Sequence, residues 1–178
     1  RFHSEFCNKK DAIVSVCSNL SKKDSKSLLN KHFGKQTGKV SLNKSLALSS
    51  YKNSRVLESD RAGIEHTYVW VGMPGFNSPS PKVYATQIMT TILGRGMDSR
   101  LFTEVREKRG LVYSVNAGYN EWQGGAVSMI DLSTRDANVD DAIEVVNTEL
   151  LKMAEELVTG EELQRAKNKL RSSFYSAI

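Results

Sequence analysis

The sequence is short of the residues that several function classes require. Cysteine occurs twice in 178 residues, as Cys7 and Cys17. That is too few for a disulfide framework or a zinc knuckle, and it points to a reducing or redox-neutral compartment. Cys17 falls in an apolar run, where a small buried thiol is expected. Histidine occurs only as His3, His32 and His66, with no two of them three or four positions apart. No His-x-x-Glu-His or His-Glu-x-x-His places ligands on one helical face, so no residue is assigned to a metal. Glu65 and His66 are adjacent, but on a strand they point to opposite sides. The longest apolar run falls far short of the ~18 residues of a membrane span. No basic stretch leads into an apolar segment near Arg1, as a signal peptide would. The G-R-G of residues 94–96 lacks the third glycine of a dinucleotide fingerprint and follows a helical pattern instead of a strand. No glycine-flanked nucleophile elbow is found either.

What is present is an ordinary globular composition, 39% hydrophobic and 25% charged, which suits a single domain or a piece of a larger assembly. The net charge of +5 is uneven. Residues 1–60 hold twelve Lys/Arg against five Asp/Glu, whereas residues 61–178 hold thirteen against fifteen. The lysines of the first part lie among Ser and Asn without interleaved aromatics, which argues against a nucleic-acid partner.

The pattern along the chain alternates strands and helices in blocks. Residues 12–18, A-I-V-S-V-C-S, read as a short buried strand. Ser21 and Asp24 form a capping box for a helix whose apolar face is Leu28, Leu29, His32 and Phe33, with Gly34 at the C-terminal cap. Residues 35–60 read as an irregular connection with one strand near Arg55. Residues 63–73 form a central strand, which Pro74-Gly75 closes. Ser80 and Pro81 start a helix carrying Val83, Tyr84, Ile88, Met89, Ile92 and Leu93 up to Gly94. Gly94 and Gly96 permit a tight break, Asp98 or Ser99 caps the next helix, and Gly110 ends it. Residues 111–119 and 126–133 are expected to pair as a hairpin. Asn138 caps a long amphipathic helix, and T-G-E-E at 159–162 is a second capping box opening the last one. The resulting expectation is an α+β domain with helices packed on one face of an antiparallel-rich sheet; a doubly wound parallel sheet is the alternative.

The stretch R-E-K-R-G-L-V-Y-S-V at residues 106–115 carries the candidate chemistry. Arg106 lies near the end of a helix and Tyr113 early in the following strand, so both can reach one edge of the sheet. An arginine donates two parallel hydrogen bonds to a carbonyl or carboxylate, and a tyrosine hydroxyl steadies an oxyanion. Residue types alone equally allow a helix C-terminal cation and a half-buried strand aromatic.

The string L-G-R-G-M-D-S-R-L-F-T-E-V-R-E-K-R-G-L-V-Y-S-V resembles the signature of the second, non-zinc half of pitrilysin/insulinase family peptidases, which include the mitochondrial processing peptidases. V-W-V-G-M-P-G and T-G-E-E-L-Q-R-A-K-N-K-L resemble flanking parts of the same half-domain. The resemblance implies an α+β half that closes a chamber over peptide substrates, with Arg106 and Tyr113 holding the substrate and stabilising the transition state. It further implies substrate contacts at Gly94, Gly96 and Arg100. Zinc would be bound by a homologous N-terminal half-domain or a partner subunit, so the isolated chain is expected to be inactive. On this reading residues 1–178 are one C-terminal-type domain, truncated at its end, and the family carries a mitochondrial location as an expectation. The alternative is a non-catalytic scaffold or substrate-binding subunit of the same fold.

Overall fold

The computed structural model describes residues 13–34, 54–60, 62–122 and 124–176. The chain divides into two units, residues 1–45 and 46–178.

In the first unit the described structure is one helix, α1 (Lys22–Phe33). Its start is built as the sequence predicts: Ser21 Oγ accepts the Asp24 N–H at 3.1 Å and donates to the Asp24 carboxylate at 2.6 Å. At its end the Gly34 N–H closes on the Asn30 carbonyl at 2.9 Å. The expected apolar face is not buried, and Leu28 and Phe33 are exposed. The expected strand at 12–18 is corrected: residues 13–18 carry no regular structure and are exposed, Ile13 almost fully. A strand persists only with a ladder partner, and the described part of this unit offers a helix alone. Cys17 is correspondingly an exposed free thiol, not a buried one.

Most of the 35–60 connection lies outside the described residues. Its described part, 54–60, is irregular, so the strand expected near Arg55 does not form there.

The second unit is an antiparallel sheet with helices on one face. Its strands are β1 (Thr67–Pro74), β2 (Val112–Trp122) and β3 (Gly125–Thr134), in the order β1-β3-β2. β1 therefore lies at an edge of the described sheet, and the hairpin strand β3 takes the centre that the sequence suggested for residues 63–73. β1 alternates residue by residue between part-buried and exposed positions, the mark of a half-covered strand. Val69, Val71 and Met73 face the helices, while Tyr68 and Trp70 stack on each other on the open face, 6.3 Å apart.

Helix α2 (Lys82–Gly94) starts one residue later than expected, with Pro81 at its cap position. Its buried threonines turn their hydroxyls back to the helix: Thr86 donates to the Lys82 carbonyl at 3.0 Å and Thr91 to the Gln87 carbonyl at 2.7 Å. Those bonds satisfy the hydroxyls and let polar side chains be buried in the packed layer. Helices α3 (Val139–Glu155) and α4 (Gly160–Ser176) complete the layer. Leu93, Leu101, Val105, Val115, Ile130, Leu132 and Val146 form the core between helices and sheet. Asn138 stands at the α3 cap position but makes no capping bond; its amide donates instead to the Leu111 carbonyl at 3.3 Å. The α4 capping box forms as the sequence predicts, with the Thr159 N–H on Glu162 at 2.9 Å and the Glu162 N–H on Thr159 Oγ1 at 3.2 Å.

Candidate functional site

Arg106 and Tyr113 both sit on local irregularities. The helical turn carrying Arg106, Phe102–Glu107, is π-helical, and the Lys108 N–H reaches five residues back to the Thr103 carbonyl at 3.0 Å. Such wide turns insert one residue and swing the side chains that follow. Gly110, at φ +63, then reverses the chain in the left-handed region, where a Cβ is disfavoured. Its N–H closes on the Arg106 carbonyl and that of Leu111 on the Val105 carbonyl, each at 3.0 Å. One residue past Val112 the ladder is broken: Val112 pairs with Thr134 and Ser114 with Ser133, which leaves Tyr113 as the extra residue of a β-bulge. The bulge turns the Tyr113 ring outward beside Ser114, and both are exposed.

Three side chains converge at this end of the sheet. Thr67, Thr134 and Val112 lie in register across the three strands, and His66, Arg135 and Tyr113 are the residues next to them. The Tyr113 ring lies 4.5 Å from that of His66, tilted by 44°. Arg135 Nε donates to the Tyr113 phenol oxygen at 2.8 Å, and this bond raises the guanidinium's already high proton affinity. His66 Nδ1 is buried, with no hydrogen-bond partner among the described residues. Glu65 and His66 precede β1 instead of lying within it, which corrects the strand reading of that pair.

The cations of the R-E-K-R run are not equivalent. Lys108 and Arg109 both pair with Glu104, at 2.6 and 2.7 Å, and hold its carboxyl below the usual range. Arg106 is exposed and lies over the Phe102 ring, 5.0 Å from its centre. Among the described residues no carboxylate pairs with it.

The other three candidates stand where α2 and the segment after it meet β2 and α4. A Cβ on Gly94 would fall on the Ala117 backbone nitrogen and side chain and 2.9 Å from the Asn116 carbonyl carbon, so this glycine lets α2 touch β2. Gly96, at φ +95, faces the Lys169 ammonium. Lys169 pairs with Asp98 and donates to the Arg95 carbonyl at 2.8 Å, and Arg95 donates to Ser173 Oγ at 3.0 Å. The glycine segment is thereby tied to α4. The Lys169 hydrogen bond, the largest of several effects, holds the Asp98 carboxyl below its ordinary range. Arg100 forms a two-pronged ion pair with Glu162, at 2.6 and 3.1 Å, in a part-buried setting. That guanidinium, aided by the Thr159 hydrogen bonds and against burial, brings the Glu162 carboxyl down to about 2.

Sequence reasoning missed Arg135 as a neighbour of Tyr113, and no local pattern carries it: only the strand register does. The described residues do not fit a zinc ion, because no group of three or more His, Cys, Asp or Glu side chains comes together among them. Among them, no helix is long and apolar enough to cross a membrane.

This architecture, with its signature turn between α2 and the hairpin and no metal ligand set among its described residues, has known counterparts. Residues 1–170 match the family model described as the peptidase M16 inactive domain, and the chain belongs to that family. An uncharacterized zinc protease of Streptomyces coelicolor is 37% identical over 109 residues, covering 61% of this chain and 24% of that protein. The structure of a peptidase M16 inactive domain from Pseudomonas fluorescens superposes with a TM-score of 0.57 at 32% identity, over 62% of this chain and 27% of that one. A protease from Helicobacter pylori shares the fold over 98% of this chain and 43% of its own, with a TM-score of 0.67 at 20% identity. The chain thus spans between about a quarter and two fifths of the length of curated relatives it matches.

Proposed function

We propose that this chain is the substrate-binding, chamber-closing domain of a zinc metalloendopeptidase acting on peptides or presequences, in the manner of the mitochondrial processing peptidases. The metal belongs to an N-terminal half-domain or to a partner subunit. Arg106 and Tyr113 act on the substrate, the first by donating paired N–H groups to a backbone carbonyl or carboxylate, the second by donating its hydroxyl to the developing oxyanion. Gly94 and Gly96 shape the adjoining segment, and Arg100 braces it through Glu162 at the edge of the substrate path.

The observation that carries this reading is the pairing of two irregularities about Gly110. A π-helical turn and a β-bulge are local departures that recur beside functional sites, and here they present an exposed arginine that no carboxylate among the described residues pairs with, and an exposed tyrosine. The test is peptide turnover by the full-length protein with Arg106 or Tyr113 substituted. A non-catalytic subunit of the same fold is the reading that remains if the full-length protein lacks a His-x-x-Glu-His motif and cleaves nothing.

A further inference from the structure

We infer that Arg135 is a positioning residue for Tyr113: it occupies the phenol oxygen so that the hydroxyl proton is free to point toward substrate. This rests on the peptidase reading above. An arginine guanidinium carries donors only and stays charged at any ordinary pH. A hydroxyl in contact with it can therefore only accept. With Arg135 Nε at 2.8 Å, one lone pair of the Tyr113 oxygen is taken. The hydroxyl's own proton must then turn away from Arg135, and the phenol is fixed as a donor instead of alternating between donor and acceptor roles. An oxyanion requires a donor that is already turned toward it.

The surroundings fix the ring as well as the proton. Tyr113 leaves β2 at the bulge, and its ring packs against His66 at 4.5 Å from the far side of the central strand. The Arg135 guanidinium, next to Thr134 at the end of β3, lies 6.0 Å from the ring centre. One residue in or immediately beside each of the three strands thus joins the arrangement: His66 before β1, Tyr113 in β2 and Arg135 after β3. The arrangement exists only when the sheet has closed in register, which couples the aim of the hydroxyl to the fold.

The experiment is a double-substitution cycle on the full-length protein, measuring kcat and KM on a peptide it cleaves and the melting temperature of each variant. Arg135→Ala is expected to lower kcat about tenfold with KM nearly unchanged, a modest share of what an oxyanion donor contributes. Arg135→Lys, which also offers only donors, is expected to recover most of that loss. In the Tyr113→Phe background Arg135→Ala is expected to change kcat by less than about twofold, because there is no hydroxyl left to orient. Wild-type kcat in Arg135→Ala, or the same tenfold loss in the Tyr113→Phe background, would overturn the positioning role and leave the role of Tyr113 standing. Wild-type turnover in Tyr113→Phe itself would instead overturn the reading on which the inference rests. If Arg135→Ala melts too low to assay, the Arg135→Lys and Arg135→Gln pair decides. The Gln amide oxygen can also accept a hydrogen bond from the hydroxyl and so permits the wrong hydroxyl orientation, so equal kcat in the two variants would overturn the inference.

Discussion

Arg135 Nε donates to the Tyr113 phenol oxygen at 2.8 Å, although the two residues are 22 positions apart in the chain. The contact is made by register. β3 ends at Thr134 opposite Val112, the bulge adds Tyr113, and the residues just beyond the paired positions meet. The site is therefore assembled by the sheet, and its integrity depends on the helices that hold the sheet.

The Arg100–Glu162 pair should make stability depend on acid in a defined window. The folded Glu162 carboxyl takes up its proton near 2, against an ordinary value of 4.5. Between those values the unfolded chain binds more protons, so the pair's contribution is complete above about 4.5 and fades as pH falls toward 2. The contribution is about 2 kcal/mol, reduced from the full linkage value because solvent reaches the pair. Glu162→Gln should lower the melting temperature at neutral pH and remove this component of the acid transition. Equal melting of both proteins at pH 7 would contradict the assignment.

Gly94→Ala should destabilise the domain by about 2–3 kcal/mol, because the new methyl meets backbone that cannot step aside. The gain in helix propensity is only ~1 kcal/mol and does not offset this. Chemical denaturation of the two proteins measures the difference. A variant as stable as wild type would show that α2 and β2 do not approach as closely as their glycine contact implies.

The isolated chain should bind no stoichiometric zinc, since its described residues offer no cluster of ligands. Metal analysis after dialysis against micromolar zinc is the check. One tight zinc per chain would refute the placement of the metal in another half or subunit.

Much of the fold was legible because it is written in local signals. Ser21–Asp24 and Thr159–Glu162 are capping pairs whose partners lie within one turn; Thr159–Glu162 forms the full reciprocal box, and Ser21 caps the Asp24 N–H and donates to its carboxylate. The hairpin was readable from two alternating runs around a glycine-rich turn. The failures concern partners far away in sequence. Residues 13–18 have strand composition but no described ladder to join, and residues 63–73 look like a central strand although β1 sits at an edge of the described sheet. Composition reports the wish to be buried, not which neighbours are available.

The candidate site divides the same way. Arg106 and Tyr113 could be named from their spacing about Gly110 and from a family resemblance. The π-helical turn and the bulge that aim them could not, because one inserted residue leaves no trace in a periodic pattern this short. Arg100 shows the opposite limit: the resemblance implies a substrate contact for it and the capping box explains Glu162, but their ion pair spans 62 residues and no local pattern carries it.

The central claim is that Arg106 and Tyr113 act on a peptide substrate. Steady-state cleavage by the full-length protein, compared among wild type, Arg106→Ala and Tyr113→Phe, tests it most directly. The account predicts that kcat/KM falls by about 10²-fold in each variant, as for loss of one transition-state hydrogen-bond donor, while the melting temperature stays within about 2 °C of wild type. Wild-type turnover in both variants would contradict it.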